Sequence, residues 1–188
     1  MVCSVSFPDW SPAHDEVVVR GASYADTAGL MAMHDRCSRD TVYRHHGAPL
    51  VRLDPRLARR LLVGDGSALV AIADAAVVGL ATVSPVDDGR CDVGLLVEDG
   101  WQRRGIGTRL LAAATREAAQ AGAHEVVLRG PADSPAAIAM VFGSGLRARV
   151  RLAGDELVVT ISTRGLSAVP DTGAVSGATV VPLRPPPA

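Results

Sequence analysis

Residues 91–128 constrain this chain more than any other stretch. Cys91-Asp92-Val93-Gly94-Leu95-Leu96-Val97 is short and mostly apolar, as a buried strand is. Glu98-Asp99-Gly100-Trp101-Gln102-Arg103-Arg104-Gly105-Ile106-Gly107-Thr108 follows as a glycine-rich turn. Ile106, Leu110, Leu111, Ala114 and Ala118 then recur at helical spacing, with Arg109, Arg116, Glu117 and Gln120 left for the wet face. Gly122 stands where a helix end commonly turns left-handed, and Val126-Val127-Leu128 reads as the next strand. Strand, turn, helix and strand within about 40 residues predict a right-handed crossover unit.

Such a turn is an anion cradle. The first amides of a helix have no intrahelical partner, and the helix dipole adds partial positive charge at the same place. Gly105 and Gly107 carry no side chains to keep a phosphate away from those amides. Two familiar cradles are excluded by spacing. Gly-x-x-x-x-Gly-Lys-Ser/Thr is impossible because the chain has no lysine, and Gly-x-Gly-x-x-Gly fails here because position 110 is Leu. What remains is Gln102-x-x-Gly105-x-Gly107.

At 188 residues and 48% hydrophobic, the chain suits one globular domain with a substantial core. With aromatics at 3%, that core is aliphatic and stacking platforms for bases are missing. The net charge of −1 gives no field that draws nucleic acid, so no nucleic-acid partner is expected. Cys3, Cys37 and Cys91 form neither a paired framework nor a metal-spaced cluster, so no metal is expected, and a reducing, cytoplasmic compartment is the simplest reading. No apolar run reaches membrane-spanning length, so no membrane partner is expected.

Residues 1–16, with Pro8 and Pro12, read as a flexible leader without signal-peptide character. Val17-Val18-Val19-Arg20 is a first strand. Ser23 and Asp26 form a capping-box variant opening a helix to about Arg36, with Leu30, Met33 and His34 inward. Ser38 or Asp40 starts a short second helix carrying Tyr43, and Asp54-Pro55 starts a third. Residues 68–73 and 76–83 form a hairpin across Asp74-Ala75. Ser134-Pro135 begins a helix to about Ser144, and residues 149–152 and 156–161 close a last hairpin around Gly154-Asp155. Residues 165–188 are a Gly-, Pro- and Ala-rich tail expected to be largely disordered.

The Gln102-x-x-Gly105-x-Gly107 motif, between an apolar strand and Thr108-Arg109-Leu110-Leu111, resembles the acyl-coenzyme A signature of the GNAT N-acetyltransferase family. The resemblance covers residues 17–164. It implies an α/β fold with a mostly antiparallel, twisted mixed sheet, one splayed parallel strand pair and flanking helices. The implied order is β–α–α–β–β–β–α–β–α–β–β. Acetyl-coenzyme A is the implied co-substrate and a small-molecule or protein amine the implied acceptor. Carried over by motif, Gln102, Arg103, Arg104, Gly105, Ile106, Gly107 and Thr108 hold the pyrophosphate, and Leu95, Leu96 and Val97 pair with the pantetheine arm. Residues 33–44 resemble the stretch His-x-x-Ser-x-x-Ser/Thr-x-Tyr-x-Arg of bacterial protein lysine acetyltransferases, which lies on the acceptor side of the cleft. The final strands often mediate dimers in this family, so a homodimer is compatible with the resemblance.

Acetyl transfer needs a base for the amine, an N–H donor for the thioester oxygen and, optionally, an acid for the thiolate. Asp92 is the candidate base, on the strand where related lysine acetyltransferases often carry glutamate. Beside Val93 and Leu95 it is expected to be partly desolvated. The alternative is a solvated strand-end carboxylate. The main-chain N–H of Leu96 is the candidate oxyanion donor.

The acid is where the pattern departs. The family's Asn-x-x-Ala-x-x-x-Tyr is here Ser134-x-x-Ala137-x-x-x-Val141, followed by Phe142. Ser134 either touches the cofactor or caps its helix. This departure keeps open a second function, a non-catalytic acyl-coenzyme A sensor with the same fold. His45 and His46 either line the acceptor mouth or face solvent, and Cys91 reads as a small buried hydrophobe. The acceptor stays open, and the acidic residues Asp35, Asp40, Asp87 and Asp88 are candidates for selecting a cation.

Overall fold

Strand and helix signals along the chain fold into alternating elements in the structure, a computed structural model that describes residues 17–46, 52–166 and 179–180. In chain order these are β1 (Val18–Gly21), α1 (Thr27–Arg36), α2 (Arg39–His46), α3 (Pro55–Val63), β2 (Ser67–Ala73), β3 (Ala76–Val83), β4 (Arg90–Val97), α4 (Ile106–Gln120), β5 (Glu125–Pro131), α5 (Pro135–Gly143), β6 (Ala148–Ala153), β7 (Glu156–Ser162) and β8 (Thr179–Val180). Three helices, not the two of the implied order, separate β1 from β2. The third forms because Asp54 accepts the amides of Arg56 and Leu57 at 2.7 and 2.9 Å with Pro55 already in helical geometry. The proposed leader lies outside the described residues. Of the proposed tail, Thr179–Val180 pairs with β1, and residues 167–178 and 181–188 lie outside the described residues.

The strands make one mixed sheet in the order β6-β7-β5-β4-β3-β2-β1-β8. Every described pairing is antiparallel except β4 with β5. That parallel ladder is short: Arg90, Cys91 and Asp92 face Glu125, Val126 and Val127, and pairing then stops. β4 continues to Val97 held by β3 alone. From Val93 onward its other edge is open, which is the splay the resemblance implied.

Two apolar layers sandwich the sheet. On one face Cys91 and Val93 of β4 meet Ile106, Leu110, Leu111, Ala114 and Ala118 of α4, all fully buried or nearly so. On the other face Leu96 joins Leu30 and Met33 of α1 and Leu62 of α3. Odd positions of β4 therefore look toward α4, and even positions toward α1–α3. This alternation decides which β4 side chains can meet an acceptor.

The capping box at the head of α1 forms as the sequence predicts, and it is also ionic. Asp26, buried, accepts from both terminal Arg20 guanidinium nitrogens at 2.9 and 2.6 Å and from the Ser23 amide at 2.8 Å. The Arg20 hydrogen bond and the Ser23 contacts hold its carboxyl down to about 2 against the opposing effect of burial. Asp26→Ala is expected to cost about 1–3 kcal/mol at pH 7, by leaving Arg20 and the Ser23 amide without their acceptor. A carboxyl with a depressed folded pKa stabilises above the unfolded value of about 4 and loses that contribution as pH falls toward 2. Urea unfolding of wild type and variant should therefore converge between pH 4 and about pH 2.

Candidate active site

The loop before α4 takes a conformation that few sequences accept. Arg103 has φ 59° and Gly105 has φ 78° with ψ 1°, both left-handed. Glycine adopts this freely, whereas a side chain there costs roughly 1–2 kcal/mol, so Arg103 stores strain in the loop. The effect is to aim the start of α4 at open space. The first helical bond runs from Arg109 N–H to Gly105 O at 3.1 Å, and no side chain caps the amides of Ile106, Gly107 and Thr108. A Cβ on Gly105 would meet nothing within 4 Å. Arg104 lies over the Trp101 ring at 4.9 Å, which helps brace the turn.

Gly107 is different. A Cβ there would begin 3.0 Å from Met140 Sδ, so this position is where α4 packs on α5 rather than vacant phosphate space. Gln102, expected among the binding groups, braces the turn in this structure. Its N–H bonds Asp99 O at 3.2 Å, and its side-chain amide donates to Val97 O at 3.0 Å and Thr41 Oγ1 at 3.1 Å. Ser134 caps α5, accepting from Ala137 N–H at 3.4 Å.

The open edge of β4 corrects the oxyanion expectation. Glu98 N–H bonds Val78 O and Ser84 N–H bonds Asp92 O, so even residues of β4 direct their main-chain groups at β3. Leu96 pairs with Leu80 and its side chain is core. Its N–H is already spent on the sheet. Leu95 and Val97 direct theirs into the splay, and with Val97 O held by Gln102, the N–H of Leu95 and of Val97 are the groups the open edge presents.

Asp92 sits at the last paired position before the splay, on the face of α1–α3. The expected desolvation is not there: its side chain is 64% exposed and its carboxylate meets Arg129 Nε at 3.4 Å. Arg129 also contacts Glu156 at 3.5 Å. At the position of the family's tyrosine, Val141 is buried in the core and offers no proton. Cys91 is buried beneath α4, and burial pushes its thiol up, followed by the Asp92 charge.

The histidines are drawn in from solvent: His34 is buried, and His45 and His46 are half-buried. α2 packs on β4 and β5, and His45 rests on Gly94, where a Cβ would lie 3.3 Å from its Cε1 and 2.7 Å from Thr82 Oγ1. Only glycine leaves that room, so the glycine inside the strand was the sequence signal for this close approach. Burial, with His46 beside it, pushes His45 down to about 4, while hydrogen bonding to the Leu95 backbone partly offsets this. A backbone group that raises an imidazole pKa is an acceptor, so the Leu95 carbonyl faces His45. Burial lowers His34 and His46 too, and the rings touch with centroids 5.7 Å apart for His34–His46, tilted by 54°, and 4.6 Å for His45–His46, edge to face at 78°. Among the described residues no group of three His, Cys, Asp or Glu is arranged to hold a metal, and no described helix is long and apolar enough to cross a membrane.

One link escaped the sequence reading. Asp99, in the turn before the cradle, accepts Ser38 N–H at 2.7 Å, Ser38 Oγ at 2.8 Å and Thr41 Oγ1 at 2.9 Å. It thereby caps α2. Burial pushes its carboxyl up, but these hydrogen bonds outweigh it and hold the group below its ordinary value.

The model of the acetyltransferase (GNAT) family matches residues 30–143. The GNAT domain of PAT from S. lividans superposes with TM-score 0.68 at 18% identity, covering 77% of this chain and 89% of that one. yncA from Salmonella typhimurium, solved with acetyl-CoA, gives 0.58 at 22% identity, covering 84% and 99%. Diaminobutyrate acetyltransferase EctA from Paenibacillus lautus, in complex with L-2,4-diaminobutyric acid and coenzyme A, gives 0.57 at 16%, covering 79% and 95%. No curated protein matches the chain. The structures share the fold and the family match spans more than half of the sequence: the chain belongs to the GNAT acetyltransferase family.

Proposed function

We propose that this protein transfers an acetyl group from acetyl-coenzyme A directly to a primary amine. The observation that carries the reading is continuity: an open strand edge, Val93 to Val97, runs into the uncapped amides of Ile106, Gly107 and Thr108. The strand edge suits the amide groups of a pantetheine arm, and the helix start suits a pyrophosphate. In this arrangement Leu95 and Val97 hold the arm, and Arg103, Arg104, Gly105, Ile106, Gly107 and Thr108 form the phosphate loop. Gln102, Asp99 and Ser134 keep the loop and α5 in place.

Bound acetyl-coenzyme A supplies an activated thioester. Leu95 N–H donates to its carbonyl oxygen as negative charge builds there. Asp92 takes the proton from the amine, through a water given the short aspartate side chain. The C–N bond forms, the C–S bond breaks, and the thiolate takes its proton from solvent, because Val141 offers none. Arg129 keeps the Asp92 carboxylate at the strand edge. Free Cys37 and Cys91 suit a reducing compartment, which supports a cytoplasmic location.

A second reading is a coenzyme A-binding sensor without turnover, favoured by the core valine at the acid position and by the guanidinium on Asp92. Two measurements separate them. Calorimetry should show wild type binding acetyl-coenzyme A and Gly105→Val binding at least about tenfold more weakly, because a β-branched residue at positive φ forces the loop to rearrange. Coenzyme A release across an amine panel should show steady turnover. No binding heat from folded wild type ends both readings, while binding without turnover on any amine leaves the sensor.

A further inference from the structure

The sheet beyond the splay presents an open face beside Asp92. Register places Asp92, Val127, Thr160 and Arg149 in one row across β4, β5, β7 and β6. The next row holds Arg129, Val158 and Arg151. Residues directly opposite in a ladder share a face, as do alternate residues along a strand, so Arg149 and Arg151 stand on the same side as Asp92. The apolar partners Val126, Leu128, Val159 and Ile161 are turned the other way, into the core under α4. The described helices on the Asp92 side pack on β2, β3, β4 and β5.

The charges on this face are unevenly matched. Arg90 meets Glu125 at 2.9 Å, and Arg129 meets Asp92 and Glu156. Those three carboxylates are thereby committed. Arg149 and Arg151 are exposed and have no ion pair among the described residues. Carboxylates are the complement of this face.

We propose that this face docks an acidic polypeptide segment flanking the acceptor amine, a statement that rests on the transferase reading and narrows its substrate class. Three strand spacings separate Asp92 from Arg149, about 14 Å. An extended chain covers that in about four residues, so the carboxylates lie about four positions from the modified amine.

Fluorescence anisotropy tests this independently of turnover. Two labelled peptides with blocked termini carry one lysine each, with aspartates three to five positions away in one and asparagines in the other. The acidic peptide is expected to bind the full-length protein about tenfold more tightly, the preference fading in 0.5 M salt. The double substitution Arg149→Ala, Arg151→Ala should erase the preference, and Arg149→Glu, Arg151→Glu should reverse it toward a peptide with arginines at the same positions. Equal affinities for both peptides, or a preference that survives both double variants, overturn the proposal. So does a change of oligomeric state in sedimentation on substitution, since a second copy would then occupy the face. Selective binding without acetylation of either peptide leaves the docking surface standing but overturns its role beside the acceptor amine, and the amine panel alone decides the transferase reading. Equal acetylation without selective binding supports the transferase reading and overturns the docking surface.

Discussion

If Asp92 is the base of the proposed transferase, Asp92→Asn is expected to lower kcat for amine acetylation by about 100-fold or more while leaving acetyl-coenzyme A affinity within about twofold. The substitution keeps the shape and removes the proton acceptor. The strand it sits on is unaffected, because Asp92 contributes its main chain to β3 through Ser84 and its side chain only to Arg129. About 100-fold in rate corresponds to about 2.7 kcal/mol of transition-state stabilisation. The measurement is steady-state coenzyme A release, with calorimetry of the same variant beside it. A full rate in Asp92→Asn would assign the base to another group. A parallel loss of rate and affinity would mean that the cradle itself had been damaged.

The second large effect concerns stability in acid. Folded His45 titrates near 4, whereas the same imidazole in an unfolded chain titrates near 6.5. Between those values the unfolded chain binds the proton that the folded one refuses. Stability therefore rises with pH through this window and is lost on acidification, by about 3 kcal/mol from His45 at the lower end. His34 and His46 are displaced in the same direction and add to it. Urea unfolding at pH 7 and pH 4.5 should show the loss, and His45→Phe should flatten the slope. An unchanged slope in that variant would mean that water reaches the imidazole.

Much of the fold was legible because local rules and tertiary context agreed. The 91–128 crossover, the Asp54-Pro55 helix start and the Gly154-Asp155 hairpin each rest on a short signal that packing reinforced. The turn before α4 was legible for the same reason, since left-handed Gly105 is a local demand. Other features depend on what lies across the sheet. Which of Leu95 and Leu96 offers an amide is a matter of ladder parity, invisible until β3 is seen to take the even residues. Asp92 is exposed because its neighbour across the parallel ladder is followed by Arg129 and not by an apolar lid. His45 and His46 read as solvated because histidine pairs usually are, but Gly94 opens a recess that one of them fills.

Asp99 turns two distant chain segments into one mechanical piece. Its carboxylate seals the amino end of α2, the helix carrying His45, while its own carbonyl fixes Gln102 at the mouth of the cradle. In the proposed enzyme these hydrogen bonds join the loop before α4 directly to α2. The proposed enzyme is therefore expected to load donor first and acceptor second, an order that product-inhibition kinetics would read.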